Sequence, residues 1–596
     1  MSDPKGLAVF NHSVRILILL SILCWLNSAV AEIELASIQV GFDQIYKHDR
    51  WTAVQATIES RYESFEGQLE LRVQDTIADQ ANQTYIQPVV LQQVDRQQRT
   101  FLIWMPNRSV ELRFQLRSHL GDVRLTHQLT PAIPKLLADL VVLVVSPTIS
   151  YRYYQTDQNW NVQKETDPEA GVKSSERQVF IAHTTPSQLP RVWLGYDSVD
   201  LMILHNVRLT ERYFPSSNQT AILDWICRGG TLMLEADDHY PGITSQQTNF
   251  LTPWLPAALT PQPRPARTEQ AEQISLHPLG NGQLGILPAY LQQMVSEDTT
   301  AFWLTLFDQV SMSARHAEAR YDPYRRHRER IYQQLKTLKP QHSPLIRHLF
   351  IFSLIYVVAM WLVSRQQLQR YILLSLVVPI GFILVLILPN QPQRINLHHF
   401  SMATVYGRRQ RLHLKSYLGI IGQKQVHASL QFPRPSAIRT TDFDAAVVQT
   451  PTAISMPSTI DPWQVQILEV ETFLDLNRHN FSALKQQVGV EWQIPGETSP
   501  KTGVTHTAST SGQSYGRFQA QFPRSMEGQR KKYAEIMIRE NLLRHLFKEQ
   551  NQKTVGWATL PDKLVPLTLP DKVSVDMTSD NSLIIVYPKT GLDQEK

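Results

Sequence analysis

Cysteine is almost missing from this chain of 596 residues: Cys24 and Cys227 are its only two. Cys24 sits in an N-terminal apolar run expected to be removed, so the mature chain keeps one thiol and an intramolecular disulfide is excluded. Thiolate-based zinc and iron–sulfur sites are excluded with it, because they need several thiolates held together. A dense Lys/Arg stripe is also lacking. The formal charge of +5 is small for this length, and counterion-driven binding to nucleic acid needs a concentrated basic face, so nucleic acid is not an expected partner. Gly280-Asn281-Gly282 invites a phosphate-loop reading, but no Gly-Lys-Ser/Thr follows it and it is read as a turn. No cofactor is expected.

Hydrophobic residues make up 42% of the chain and charged residues 19%, a globular balance that hides a few concentrated apolar runs. Single cores stop growing near roughly 250–300 residues, so three or four folded units are expected. Residues 1–31 read as a signal peptide: a start carrying Lys5 and Arg15, an apolar run from Ile16 to Leu26, and Ala29-Val30-Ala31 before Glu32. Two further apolar runs, Leu349–Val363 and Tyr371–Leu388, are joined by a polar turn with Arg365 and Arg370. Their lengths predict a two-helix transmembrane hairpin over 345–389, which would anchor the chain in a lipid bilayer. Export through the signal peptide then places both flanking regions on the periplasmic side of a bacterial inner (cytoplasmic) membrane, although Arg325, Arg326, Arg328 and Arg330 precede the hairpin on the outer side.

From 32 to 134 apolar and polar residues alternate, as in Gln68-Leu69-Glu70-Leu71-Arg72-Val73 and Glu111-Leu112-Arg113-Phe114-Gln115-Leu116. Period two predicts half-buried strands, and a β-sandwich of about 100 residues. Residues 135–310 change pattern. Leu140–Val145 is a continuous apolar strand of the kind covered on both faces. Val199–Leu204, a helix over Asn218–Cys227, the pair Gly229-Gly230 and Thr231–Leu234 then predict a strand–helix–strand unit within a small parallel sheet. A basic helical linker spans 311–344. Residues 390–596 predict a second β-rich domain, with an amphipathic helix at 526–550 and a mobile Thr/Ser/Gly-rich stretch from Thr498 to Ser514.

Several short motifs carry a family resemblance: Arg50-Trp51, Leu194-Gly195-Tyr196-Asp197-Ser198-Val199-Asp200, Trp225-Ile226-Cys227-Arg228-Gly229-Gly230-Thr231-Leu232 and Gly280-Asn281-Gly282. In this order they resemble uncharacterised bacterial membrane proteins that join a β-sandwich to a class I glutamine-amidotransferase-like domain, a membrane hairpin and a second β region. The resemblance implies a multidomain α/β plus β fold. It also implies an association with MoxR ATPase and von Willebrand factor A systems of the cell envelope. Amidotransferases of this class use a cysteine between glycines on a strand-to-helix turn. Here Cys227 lies near the end of a helix, before the glycine pair, and neither Gly-x-Cys-x-Gly nor Gly-x-Ser-x-Gly occurs, so the domain would be a scaffold without the reaction.

The remaining candidates follow the strand that ends at Leu234. Carboxyl ends of parallel strands gather ligands, which makes Asp237, Asp238 and His239 weak catalytic candidates and Glu235, Asp237 and His239 weak metal ligands; a solvated loop is the plain alternative. His398-His399 would point to opposite faces of a strand and make a poor metal pair. The expected function is a membrane-anchored envelope protein acting as a non-catalytic scaffold for protein partners. A hydrolase or amidotransferase-related enzyme of envelope material is the alternative, and a glycan- or peptide-binding module the third reading. Any small-molecule ligand is unknown.

Overall fold

The computed structural model describes residues 33–75, 83–106, 110–147 save 138, 161–162, 177–207 save 206, 214–235, 276–287, 296–311, 394–406, 411–422, 425–461 save 441–442, 464–475, 553–559, 574–577 and 582–588, with a few positions between 332 and 357. The alternating N-terminal residues form two facing sheets. Strand Arg50–Ser60 pairs antiparallel with Ile33–Val40 on one side and with Asp95–Met105 on the other. Opposite lies a seven-stranded sheet in the order Val426–Pro433, Ala453–Ile460, Ala445–Gln449, Gln83–Leu91, Phe65–Asp75, Val110–Ser118, Val123–Leu129. Leu69, Leu71, Leu112, Phe114 and Leu116 are fully buried against Val54, Ala56 and Ile58 of the smaller sheet, which is what period-two alternation produces when one face of each sheet is dry.

That larger sheet is assembled from both halves of the chain. Ala445–Val448 pairs in parallel with Gln83–Ile86. Side chains seal the join. Gln449 accepts from the Leu102 amide at 3.3 Å and donates to the Leu102 carbonyl at 2.8 Å, Gln83 donates to the Thr440 hydroxyl 357 positions away, and the Arg439 guanidinium lies 4.3 Å over the Trp104 ring.

A second seven-stranded sheet runs Leu276–Leu279, Gly282–Leu287, Thr231–Glu235, Leu201–Leu204, Leu140–Val145, Arg177–Thr184, Asn161–Val162, with the inner five strands parallel. Its strands are continuously apolar because both faces are covered. One face packs Val141, Leu143, Met202 and Leu232 with Trp193, Trp225 and the sandwich. The other packs Val142, Val144, Ile203 and Met233 against Trp303, Leu306, Phe307 and Val310 of the helix Ser296–Ser311. The helix Ser216–Arg228 crosses from Leu201–Leu204 to Thr231–Glu235 and ends on Gly229 at φ +133°, whose amide donates to Ile226 while that of Gly230 donates to Trp225. A third sheet runs Ser436–Thr440, Gln466–Asp475, Arg411–Gly422, Arg394–Tyr406, Ser582–Pro588, Lys553–Thr559, with Ser574–Met577 also beside Arg394–Tyr406.

These observations correct three expectations. The fold is predominantly β and not α/β plus β: among the described residues strands dominate and the only α-helices whose bounds are defined are Ser216–Arg228 and Ser296–Ser311. Continuous apolar strands report that both faces are covered but not by what. Among the described residues the sandwich and the helix Ser216–Arg228 cover one face and the helix Ser296–Ser311 the other, two helices in a predominantly β chain and not a glutamine-amidotransferase-like layer. No helix among the described residues is long and apolar enough to cross a membrane. The transmembrane hairpin, and the inner-membrane placement built on it, therefore lose their support. Run length and hydropathy were the basis of the hairpin, and residues 345–389 lie almost wholly outside the described residues. The signal peptide at 1–31, most of the basic linker, the stretch Thr498–Ser514 and the helix at 526–550 lie outside them as well.

Candidate functional site

The motif residues that carry the resemblance converge on one buried junction, where the sandwich, the parallel sheet and the third sheet meet. Trp193–Tyr196 forms a single 3-10 turn with all four residues buried, and it delivers Asp197 and Ser198 to strand Arg50–Ser60. Asp197 is fully buried; it accepts from the Trp51 amide at 3.0 Å, pairs with the Arg228 guanidinium, and has Arg50 Nη1 at 4.0 Å. The Lys47 amide donates to the Ser198 hydroxyl at 3.2 Å. Beside it the Lys47 ammonium meets Asp200 at 2.5 Å, with side-chain exposures of 3% and 4%. Asp200 also accepts from the Val141 amide at 2.8 Å, so one carboxylate ties the sandwich to the first parallel strand. A buried charge persists only where such partners replace water.

Arg228 extends the junction to the third sheet. It stands at the C-terminal end of its helix, where the helix dipole favours a cation. Its Nε donates to Glu471 at 2.6 Å, its Nη1 to Asp197, and its guanidinium plane lies 5.0 Å from the Trp193 ring. Glu471 also accepts from His413 Nε2 at 2.7 Å. The His413 ring is stacked on Phe473 at 4.6 Å and meets Trp193 edge-on at 6.1 Å. Burial pushes the Glu471 carboxyl up, but Arg228, His413 and Lys415 outweigh it and hold the group well below the usual carboxylate range.

The same face carries two more rungs. Arg411 pairs with Asp224 of the helix at 2.8 Å. Lys415 pairs with Glu469 at 2.8 Å, and Glu469 also accepts from the Tyr332 hydroxyl at 3.1 Å. Burial pulls the Lys415 ammonium down, whereas Glu469, Tyr417 and Glu471 pull it up further, so its pKa lies well above the ordinary lysine value. Arg411, His413 and Lys415 occupy alternate positions of one strand, and Leu412 and Leu414 between them are fully buried on its other face.

In chemical terms this is a set of buried carboxylates paired with cations. Glu471, held down in pKa and supplied with donors, is a poor proton acceptor near neutral pH. Among the described residues no group of three or more His, Cys, Asp or Glu is placed to hold a metal ion.

The sequence candidates fare differently. Glu235 is the last residue of its strand and pairs with Leu287; Asp237, Asp238 and His239 lie outside the described residues. Cys227 is buried in the helix, and its carbonyl accepts from the Asn281 amide. Gly280-Asn281-Gly282 is the hairpin turn between Leu276–Leu279 and Gly282–Leu287, with Gly280 at φ +68°. His398 and His399 are neighbours on strand Arg394–Tyr406. Sequence reasoning named Arg50, Asp197, Asp200 and Arg228 only as motif letters and missed Lys47, His413, Lys415, Glu469 and Glu471. The available signal was charge at every second position of apolar strands, at 411, 413 and 415 and at 469 and 471.

Comparison with known proteins adds little. No curated protein matches the chain. Among solved structures, a β-glucosidase from Listeria innocua aligns at 15% identity over 17% of this chain and 16% of that chain, with a TM-score of 0.13. An M1 zinc metallopeptidase from Deinococcus radiodurans aligns at 17% identity over 14% of this chain and 19% of that chain, with a TM-score of 0.11. This chain thus spans less than a fifth of either protein, and likenesses this slight carry no argument about fold or activity. Residues 33–132, which hold the N-terminal strands of the sandwich and Lys47, Arg50 and Trp51 of the junction, match a family model described as Domain of unknown function (DUF8726).

Proposed function

We propose that this protein is a non-catalytic scaffold that acts through protein contacts, with the sandwich, the parallel sheet and the third seven-stranded sheet locked into one body by the buried charge junction. The observation that carries the reading is Arg228, one side chain that bridges Asp197 of the parallel-sheet unit to Glu471 of the third sheet, while the Trp51 amide of the sandwich donates to that same Asp197. Charged residues concentrated in the interior are spent on joining elements, and buried polar networks of this kind fix one arrangement among alternatives. Such rigidity suits a protein whose task is to hold surfaces in fixed relation. The strand Ala445–Gln449, contributed from far along the chain to the sandwich sheet, supports the same reading.

The test is affinity capture of the intact chain under mild crosslinking, comparing wild type with Arg228→Met and with the triple variant Asp237→Ala, Asp238→Ala, His239→Ala. A scaffold retains a reproducible partner in the triple variant and loses it in Arg228→Met. Recovery of the chain alone in all three samples, or loss of the partner only in the triple variant, overturns the proposal.

A further inference from the structure

The outer face of the larger sandwich sheet sets two cations side by side. Arg72 and Arg113 are directly opposite each other on neighbouring antiparallel strands, and Gln128 follows opposite Arg113 on the strand beyond. Leu71, Val73, Leu112 and Phe114, the residues flanking them, are buried, so alternation puts both arginines on the face away from the core. Side chains opposite each other start about 4.5–5.5 Å apart, and like charges in that position repel. The acids of the neighbouring rows do not relieve them. Glu70 is taken by Arg117 at 3.0 Å, and Glu111, opposite Gln74, forms no ion pair with either arginine. Among the described residues neither guanidinium meets a carboxylate or any other acceptor. A cation pair that nothing in the chain answers is complementary to an acid from outside it.

The same row ends at an open edge. Val123–Leu129 is the last strand of this sheet, and among the described residues Val110–Ser118 is its one pairing partner. Five of its seven residues are exposed, while Leu125 and Leu129 rest on the core. The outward amides and carbonyls of such a strand are a template for a further strand, and charge on the edge decides which strands are kept away. Here the charge has one sign: the strand carries Arg124 and His127 and no acid. Arg124 is the extra residue of a bulge, where the register shifts between Leu116 and Arg117, a device that re-aims a side chain. Two copies of this edge would bring cation to cation, whereas an acidic strand is drawn in.

We propose that Val123–Leu129 takes an extended acidic segment of a protein partner as an added strand, whose carboxylates meet Arg124 and the Arg72–Arg113 pair. Strands lie about 4.8 Å apart, so an outward glutamate opposite Gln128 starts about 10 Å from Arg113, a gap that the two long side chains close between them. Alternate residues share a face, so acids at every second position of the segment all stand on the arginine side. Backbone bonds along the edge supply affinity and the carboxylates supply register. The proposal rests on the scaffold reading, since it names the chemistry of one partner contact, but it uses none of the junction residues.

The probe is a short fluorescent peptide of alternating glutamate and valine, titrated against the full chain by anisotropy. Two further peptides are compared: one with alternate amides N-methylated, which keeps the charge but cannot add as a strand, and one with lysine for glutamate. The chain is used as wild type, as Arg72→Gln/Arg113→Gln, and as Arg96→Gln, an exposed arginine of the other sheet. The expected result is binding of the glutamate peptide alone, weakened about ten-fold or more by N-methylation and about ten-fold in the double variant, as loss of a charge-assisted contact implies, with Arg96→Gln unchanged. The double variant, relieved of repulsion, should unfold at no lower temperature than wild type. Equal binding of the N-methylated peptide, or an equal loss in Arg96→Gln, overturns the proposal. Phosphatidylglycerol vesicles bound through Arg72 and Arg113 by a chain that binds no peptide assign the arginines to a lipid surface, and a dimer lost in the double variant assigns the edge to a second copy; both overturn it. No peptide binding while partner capture still depends on Arg228 overturns this proposal alone, whereas peptide binding as expected with no partner captured upholds it and counts against the scaffold reading.

Discussion

Replacing Arg228 by methionine keeps most of the side-chain volume and removes the one cation that faces both Asp197 and Glu471. Asp197 is fully buried and Glu471 is 8% exposed. After the change Asp197 keeps the Trp51 amide and Arg50 at 4.0 Å, and Glu471 keeps His413. Breaking a buried pair by removing one partner costs roughly 3–5 kcal/mol. Arg228 itself is 18% exposed, which places the expected loss toward the lower end, about 3 kcal/mol. At about 2–4 °C per kcal/mol for a unit of 150–250 residues, the transition that reports the junction should fall by roughly 6–12 °C. Differential scanning calorimetry measures it, with near-ultraviolet circular dichroism following Trp193 and Trp225. Because the pair is buried, the loss should change little between low and high salt. Adding Glu471→Gln to Arg228→Met should cost less than the sum of the two single changes, since each removes the same interaction. A fall under about 1 kcal/mol, or strict additivity in the double variant, would refute the claim that this contact joins the sheets.

Glu471 also sets an acid limit. A carboxyl whose folded pKa lies below its unfolded value of 4.5 contributes stability that is present above 4.5 and lost as pH falls through the folded value. The junction should therefore hold through pH 4.5 and loosen below it, read as the onset of dye binding in an acid titration, and Glu471→Gln should flatten that dependence. Lys415 has the opposite sign: its folded pKa is raised above 10.5, so its contribution is full below 10.5 and disappears as pH rises through the folded value. Gly230→Ala drives a Cβ into the Trp225 ring and should cost about 1–3 kcal/mol as overpacking, seen as a lower denaturant midpoint. Val94→Gly releases a left-handed valine worth about 1–2 kcal/mol of strain, against about 0.5–1 kcal/mol of added chain entropy; thermal unfolding should show a gain of up to about 1.5 kcal/mol.

Local pattern was legible where burial imposes a period. The alternation at Leu69-Leu71-Val73 and Leu112-Phe114-Leu116 falls in strands with one dry face. The run Leu140–Val145 is a strand dry on both. Pairing partners were not legible, because periodicity says which face is buried and nothing about which strand lies beside it; the union of Ala445–Gln449 with Gln83–Leu91 carries no local mark. The same blindness explains the α/β expectation and the hairpin, since apolar run length reports dryness without saying what supplies it. The candidate site was half visible. Asp197, Asp200 and Arg228 stood out as motif letters, but a charge in a single sequence looks solvated until its partner is known, and Glu471 lies 243 positions from Arg228. The acidic cluster after Leu234 drew notice instead because its charges are neighbours in sequence.

The central claim is that one junction makes the sandwich, the parallel sheet and the third seven-stranded sheet a single body, and native-state hydrogen exchange tests it most directly. Amides of Thr52–Ile58 in the sandwich, Leu201–Leu204 in the parallel sheet and Ile467–Val470 in the third sheet are followed in wild type and in Arg228→Met. A locked body predicts that all three groups open with a similar free energy in wild type and lose protection together, by roughly 3 kcal/mol, in the variant. Loosening confined to Ile467–Val470, with the other two groups unchanged, would contradict it.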